Sequence, residues 1–307
     1  MKTKIVIGTR GSKLALWQAN YIAQCLRDEY KDLTVELKHV TTTGDKILDV
    51  PLAKIGGKGL FTKELETEML EGTIDLAVHS LKDMPTELPE GLILSAITSR
   101  VKPEDALVSP RYKTLAALPK GAKLGTSSLR RKAQLLSVRP DLDVHDLRGN
   151  VDTRLRKVEN GEYDAIVLAA AGLLRLGLED KITEVLPKEC CLPAVGQGAL
   201  AIESRANDKE VLDILAFLND AKTRAAVTAE RAFLRKVEGG CQVPVGVHAS
   251  LKEGKLYVEA IIAELDGSHI IKDSVTGTPA DAEALGNALA DKMLAAGGRE
   301  IMKSIGL

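Results

Sequence analysis

The chain has little cysteine, few aromatic residues and no surplus of charge of either sign. Only four cysteines (Cys25, Cys190, Cys191 and Cys241) occur in 307 residues, with no C-x-x-C spacing. That excludes a disulfide framework and a cysteine-based zinc site. Aromatics are 3% of the chain, too few for an extended base-stacking platform. Forty-two Lys plus Arg balance forty-three Asp plus Glu for a formal net charge of −1, which argues against nucleic acid as a partner. No apolar run approaches the ~20 residues that a membrane helix needs. The start, MKTKIVIGTRGSK, offers only Ile5–Ile7 before Gly8 and Arg10, so no secretory signal is expected and the predicted location is cytoplasmic. The five histidines show no HExxH or paired spacing, and neither GxSxG nor the Walker pattern GxxxxGK[ST] is present; no metal site is predicted.

Hydrophobic residues at 45% and charged residues at 28% describe a soluble globular protein, and the length suggests two or three domains. Up to about residue 205, strand-like runs (Lys4–Gly8, Leu33–Val40, Ile74–His79, Leu92–Thr98, Ala122–Gly125, Asp143–Leu147, Asp164–Ala169, Ala199–Glu203) alternate with helical patterns (Ser12–Glu29, Leu60–Glu71, Ser128–Val138, Val151–Glu159). Leu14, Trp17, Tyr21 and Cys25 share one face of the first helix. The alternation predicts mostly parallel, doubly wound sheets. An internal echo accompanies it: Ile7–Ser12 and Leu124–Ser128 each open a helix, and the Gly-x-x-Asp-strand phrases Gly72–Val78 and Gly161–Val167 follow in the same order. Two similarly built α/β domains are one explanation; chance likeness between βαβ units is the other. Arg100–Glu104 reads as a hinge out of the first domain and Leu192–Gly198 as the way back. A helix at Thr223–Glu238, strands near Val245–Leu251, Leu256–Ala263 and Ser268–Thr276, and a helical end from Ala280 predict a small α+β unit. The expected division is 1–99 plus 199–217, 104–193 and 221–307.

Seven of the sixteen arginines fall between Arg130 and Arg175, several at strand–helix junctions. A helix N-terminus offers free N–H groups and the positive end of the dipole, and Arg adds a fork matched to carboxylate or phosphate. Ser12 and Ser128 are expected first as N-caps; the repeated conjunction of cap, Arg and strand end points equally to an anion-lined cleft. Ile55–Gly59 (IGGKG) reads as a Gly-rich loop with Lys54 and Lys58 as lid charges. Ser80, Lys82 and Asp83 follow a buried-looking strand directly, where α/β folds place ligands; a turn or capping role for Asp83 is the plainer alternative. Cys241, after Gly239-Gly240 and before Pro244, least fits the usual buried free cysteine.

Seven phrases, IGTRGSKLALWQA, PLAKIGGKGLFTKELE, DLAVHSLKDMP, GTSSLRR, LRGNVDTRL, LPAVGQGALAIE and EGGCQVP, run in order from residue 7 to residue 244. Together the chain resembles the bacterial-type porphobilinogen deaminase (hydroxymethylbilane synthase) family. The resemblance implies two doubly wound, periplasmic-binding-protein-like α/β domains with a small α+β C-terminal domain, in a monomer. It implies a transferase that joins four molecules of porphobilinogen head to tail, releasing ammonia, to give hydroxymethylbilane in tetrapyrrole and haem biosynthesis. A dipyrromethane cofactor in thioether linkage maps onto Cys241, and the catalytic aspartate onto Asp83. Cofactor contacts map onto Lys82, Ser128, Arg130 and Arg131, and substrate contacts onto Arg10, Ser12, Arg148, Arg154 and Arg175, with Lys58 and Phe61 at the active-site loop.

The chemistry agrees with that mapping. Each porphobilinogen carries an acetate and a propionate, so a growing chain accumulates carboxylates that need arginine forks. Loss of ammonia leaves positive charge spread over a pyrrole, which a nearby carboxylate stabilises, and the same carboxylate can move protons. The rival reading is a non-enzymatic two-lobed anion-binding or sensor protein, which would share the double-crossing cleft.

Overall fold

The computed structural model describes residues 2–46, 59–237 and 243–305. Its strands form three sheets. In the first, β1 (Lys4–Thr9), β2 (Thr34–His39), β3 (Leu76–Ser80), β4 (Leu92–Ile97) and β10 (Leu200–Arg205) run in the order β2-β1-β3-β10-β4. In the second, β5 (Asp105–Val108), β6 (Lys123–Gly125), β7 (Asp143–His145), β8 (Ala165–Ala169) and β9 (Glu184–Val185) run β7-β6-β8-β5-β9. The two orders are equivalent, so the sequence echo reflects a shared topology.

Each sheet also holds one reversed strand. β10 is antiparallel to β3 and β4, and β5 to β8 and β9. These are the strands that have just crossed from the other lobe. The other strands end at the cleft, so a chain entering there runs the opposite way. Leu200 pairs with Ser80, the last residue of β3, and Asp105 with Ala169, the last of β8. Sequence periodicity placed no strand at 105–108, a four-residue, fully buried run without alternation to mark it.

The first long helix, Lys13–Glu29, is capped by Ser12, whose Oγ accepts from Ala15 N at 3.3 Å. Its core face is Gln18, Ala19, Ile22, Ala23 and Leu26, not the Leu14–Trp17–Tyr21–Cys25 stripe. Two alanines on the inner face let the helix approach the sheet closely. Trp17 and Tyr21 stack outside it, centroids 5.3 Å apart, where the helix packs against Ala170–Arg175 of the second lobe.

The two crossings touch. Val101 N donates to Gly198 O (3.1 Å), and Gln197 Nε2 donates to Pro103 O (2.6 Å) and to Asp105 (2.9 Å). Gly198 has φ +93°, and a Cβ there would lie 2.5 Å from Val101 O, so only glycine fits.

The third sheet is the antiparallel meander β11 (Val245–Lys252), β12 (Lys255–Ala263) and β13 (Ile270–Gly277). Helices Ala221–Lys236 and Ala282–Met293 cover it around Phe233, Val247, Leu256, Ile262, Leu289 and Met293. Glu230 fastens this unit to both crossings: its buried carboxylate accepts from the Arg100 fork (2.8 and 2.9 Å), from Gly196 N (2.7 Å) and from Ala249 N (2.8 Å). No helix among the described residues is long and apolar enough to cross a membrane.

Candidate functional site

Strands of both lobes deliver their C-terminal ends to one cavity of about 630 Å³. From the first lobe, β1 leads into Arg10 and Ser12, and β3 into Ser80 and the short 3₁₀ turn Leu81–Asp83. The Arg10 guanidinium lies over the Phe61 ring, 4.2 Å from its centroid. Gln18 Nε2 donates to Ser80 Oγ at 2.8 Å. The Asp83 turn is tied down from two sides: Leu81 N donates to Ala199 O (3.0 Å), and Arg231 donates to Pro85 O (2.7 Å). The Asp83 side chain is exposed into the cleft and caps no helix among the described residues. Asp83 thus stands in a turn, as its plainer alternative expects, without a capping bond.

From the second lobe come Arg131 after β6, Arg148 and Arg154 after β7, and Arg175 after β8. Arg154 Nε donates to Gly149 O at 2.8 Å and Arg175 Nη2 to Gly198 O, on the returning crossing, at 2.8 Å. Nine cationic and three acidic side chains line the cavity among the described residues. That excess shows in the titration of its members. Burial pulls Arg154 down to about 10, with Arg131 and Arg148 adding their repulsion against the opposing pull of Asp83. Burial also pulls Arg175 down to about 10. The Lys82 pKa falls through burial; Asp83 opposes the fall and Arg131 adds to it. Crowded, desolvated cations of this kind favour an anion.

Arg130 and Arg131 are a buried structural pair as well. Asp105, at the start of β5, accepts from Arg130 Nη1 (2.7 Å) and from Arg131 Nε and Nη2 (3.0 and 2.7 Å). Burial alone would raise the Asp105 pKa, but the two guanidinium groups outweigh it and hold the carboxyl below the usual range. Arg130 also donates to Leu192 O at 2.6 Å and does not line the cavity, whereas Arg131 does. Ser128 likewise stands off the cavity wall and serves as the expected cap, its Oγ accepting from Arg131 N at 3.4 Å. Cys191 is fully buried beside Asp105 (Sγ to Oδ2 3.3 Å), and burial raises its pKa; the same cause raises Cys190 to about 11. Neither thiol is poised as a nucleophile.

Of the residues expected from sequence, Arg10, Ser12, Phe61, Lys82, Asp83, Arg131, Arg148, Arg154 and Arg175 line one cavity. Lys58 and Cys241 lie outside the described residues. Sequence reasoning missed Asp105 and Gln197. Gln197 sits in the returning crossing and Asp105 at the start of β5 just past the outgoing one, where the only signal was a Pro and Gly content that reads as hinge. Among the described residues no group of three or more His, Cys, Asp or Glu could hold a metal ion.

Comparison with known proteins gives a consistent picture. Residues 5–213 match the family model described as porphobilinogen deaminase, dipyromethane cofactor binding domain, and residues 224–295 match porphobilinogen deaminase, C-terminal domain. The chain is 53% identical over 305 residues to a porphobilinogen deaminase of Desulforudis audaxviator, covering 99% of each chain. It is 54% identical over 299 residues to one of Syntrophotalea carbinolica, covering 97% of this chain and 95% of that one. It is 53% identical over 302 residues to one of Geobacter sulfurreducens, covering 98% and 95%. Among solved structures, a nutrient binding protein from Burkholderia cenocepacia bound to methionine aligns at TM-score 0.44 and 15% identity, covering 69% of this chain and 90% of that one.

Proposed function

The chain belongs to the porphobilinogen deaminase family, and from that premise we propose how its residues divide the work. The activity is hydroxymethylbilane synthesis in the tetrapyrrole pathway: four porphobilinogen molecules are joined head to tail with loss of ammonia. The rival of a non-enzymatic sensor is not favoured.

The observation that carries the assignment of roles is a single arrangement. One exposed carboxylate, Asp83, stands on the first lobe's wall of a cavity whose opposite wall carries Arg131, Arg148, Arg154, Arg156 and Arg175. That donor set fits a dipyrromethane, a polycarboxylate built from two porphobilinogen units. When bound, the group supplies the pyrrole carbon to which the next unit is added. Asp83 stabilises the positive charge that develops as ammonia leaves and takes the proton released at the new bond. Lys82 and Arg131 hold cofactor carboxylates; Arg148, Arg154 and Arg175 hold those of the substrate and the lengthening chain. Arg10, stacked on Phe61 with Ser12 beside it, orients the incoming porphobilinogen. Ser128 and Arg130 support these contacts from behind, through the cap and the Asp105 pair. Cys241 is the thioether anchor, which keeps each coupling on a bound chain. Lys58 adds a further charge for the substrate carboxylates. The near-neutral chain acts as a cytoplasmic monomer on a small molecule, without nucleic acid.

Intact-protein mass tests the anchor. The wild-type chain should carry a two-pyrrole increment that Cys241→Ser lacks, with almost no turnover. An adduct retained in Cys241→Ser, or found on Cys25, Cys190 or Cys191, would overturn it.

A further inference from the structure

Behind the Asp83 turn lies a second cavity of about 70 Å³, lined by Thr62, His79, Ser80 and Asp83 and by Arg10 with Phe61. That is room for about two water molecules. His79 ends the buried part of β3, and its Nε2 is 3.1 Å from Oε2 of Glu203 on β10. Glu203 is fully buried and His79 nearly so. Glu66, on the helix Lys63–Leu70, is buried too, near enough for the charges of both to act on it. Neither Glu203 Oε1 nor Glu66 Oε1 has a hydrogen-bond partner among the described residues.

One imidazole, His79, bonds one of two buried carboxyls, Glu203, and the second, Glu66, has no such partner. An ionised carboxylate out of water and without a counter-charge takes up a proton instead. The imidazole already bonds Glu203, so Glu66 is the buried carboxyl left without a counter-charge and the one that holds a proton. The direction for Glu66 agrees: burial raises its pKa, Thr62 and His79 oppose, and Glu203 and Glu64 add to the rise. The charged groups facing the trio are Glu64 on the Glu66 helix, Arg10 after β1, and Asp83 across the small cavity.

We propose that His79, Glu203 and Glu66 form a proton-holding cluster that exchanges one proton with Asp83 through the small cavity during each coupling. In a coupling, the substrate's C–N bond breaks and ammonia leaves with the electron pair. A C–C bond forms at a pyrrole α-carbon, which then loses its proton. Asp83 receives that proton, shares it with the cluster across the small cavity, and returns it to solvent at the open cleft, where the departed ammonia becomes ammonium. No net proton stays on the protein. Asp83 touches the reacting atoms; His79, Glu203 and Glu66 act through it, so the inference rests on the catalytic reading of Asp83.

The test uses the cofactor-loaded enzyme with Glu66→Gln and Glu203→Gln. Infrared spectra of the wild type at neutral pH should show a protonated-carboxyl band that Glu66→Gln removes. Glu203→Gln should lower kcat by about tenfold or more, a small fraction of what general acid–base groups supply, with KM within about twofold and the acid limb of the kcat profile displaced. Absence of the band in the wild type, or pH profiles of both variants that superimpose on the wild type after scaling, would overturn the proposal. Should Glu203→Gln not fold, the wild-type band and the Glu66→Gln profile decide alone. Asp83→Asn separates the two readings, because loss of the catalytic carboxylate leaves the Glu66 band in place.

Discussion

The two α/β lobes run their strands in equivalent order around equivalent reversed strands, yet they bring different charges to the cleft. After β3 the first lobe presents Lys82 and Asp83 on a three-residue turn; after β8 the second presents a helix ending in Arg175. Each lobe also has an aspartate near arginines. Asp83 is exposed and free to meet a ligand, while Asp105 is sealed at 0% exposure between Arg130 and Arg131. The same scaffold thus places one carboxylate where it can act and the other where it can only hold. Loops at strand ends vary without disturbing the sheet behind them, and this allows a duplicated fold to divide its tasks.

Breaking the holding side should give the largest effect. Asp105→Asn leaves two buried guanidinium groups without their counter-charge, a kind of loss that costs about 3–5 kcal/mol. Thermal melting should show the loss, together with a falling yield of cofactor-loaded protein. A melting temperature within about a degree of wild type would remove the distinction between the two aspartates.

Breaking the acting side should spare the fold. Asp83→Asn keeps shape and removes charge, so turnover of folded, cofactor-loaded protein should fall by about 10²-fold or more with the melting temperature unchanged. Asp83→Glu should retain more activity. Asn is about as good a cap as Asp, so wild-type turnover in Asp83→Asn would return the residue to a structural role.

The arginine wall sharpens the contrast further. Arg148→Leu removes a cavity-lining cation that is outside the Asp105 pair, so cofactor loading should persist while KM for porphobilinogen rises by about tenfold, the order of one charged hydrogen bond. Arg131→Leu should instead lower both loading and melting temperature. Equal behaviour of the two variants would show that the wall is uniform.

These contrasts mark what could be read from the sequence. Cap, strand end and arginine are local, and Ser12, Ser128 and the Lys82–Asp83 turn were legible from neighbours in the chain. Asp105 was not, because its partners lie 25 and 26 residues away and its four-residue strand shows no alternation. Nor could the residues alone separate Arg130 from Arg131, which are adjacent in sequence but turned differently by the helix. Periodicity puts Leu14, Trp17, Tyr21 and Cys25 on one face without saying which apolar side meets the sheet, and the sheet takes the face of Ala19, Ile22 and Leu26. Glu203 and Glu66 gave no sequence signal, their burial being a property of the assembled lobe.

The smallest effect concerns the unit that binds both lobes. Burial pulls the His248 pKa down to about 4; Glu230 opposes, while Arg100, Lys188 and Lys252 add to the fall. An unfolded histidine titrates near 6.5, so below that pH the unfolded chain binds a proton that the folded chain refuses. Stability is therefore present above about 6.5 and declines as pH falls toward about 4. His248→Asn should flatten the melting temperature across that window, and an unchanged slope would assign the acid sensitivity to other groups.

The stacked pair at the lobe boundary has an optical consequence. Trp17 is the only tryptophan in the chain, and it is 37% exposed on the helix that meets the second lobe. Its emission therefore comes from one place, with Tyr21 parallel to it and Arg175 acting on Tyr21. A shift of one lobe against the other changes the water and the charge around a single indole. The protein carries its own fluorophore on the helix that meets the second lobe, and its emission is expected to report any such shift without a label.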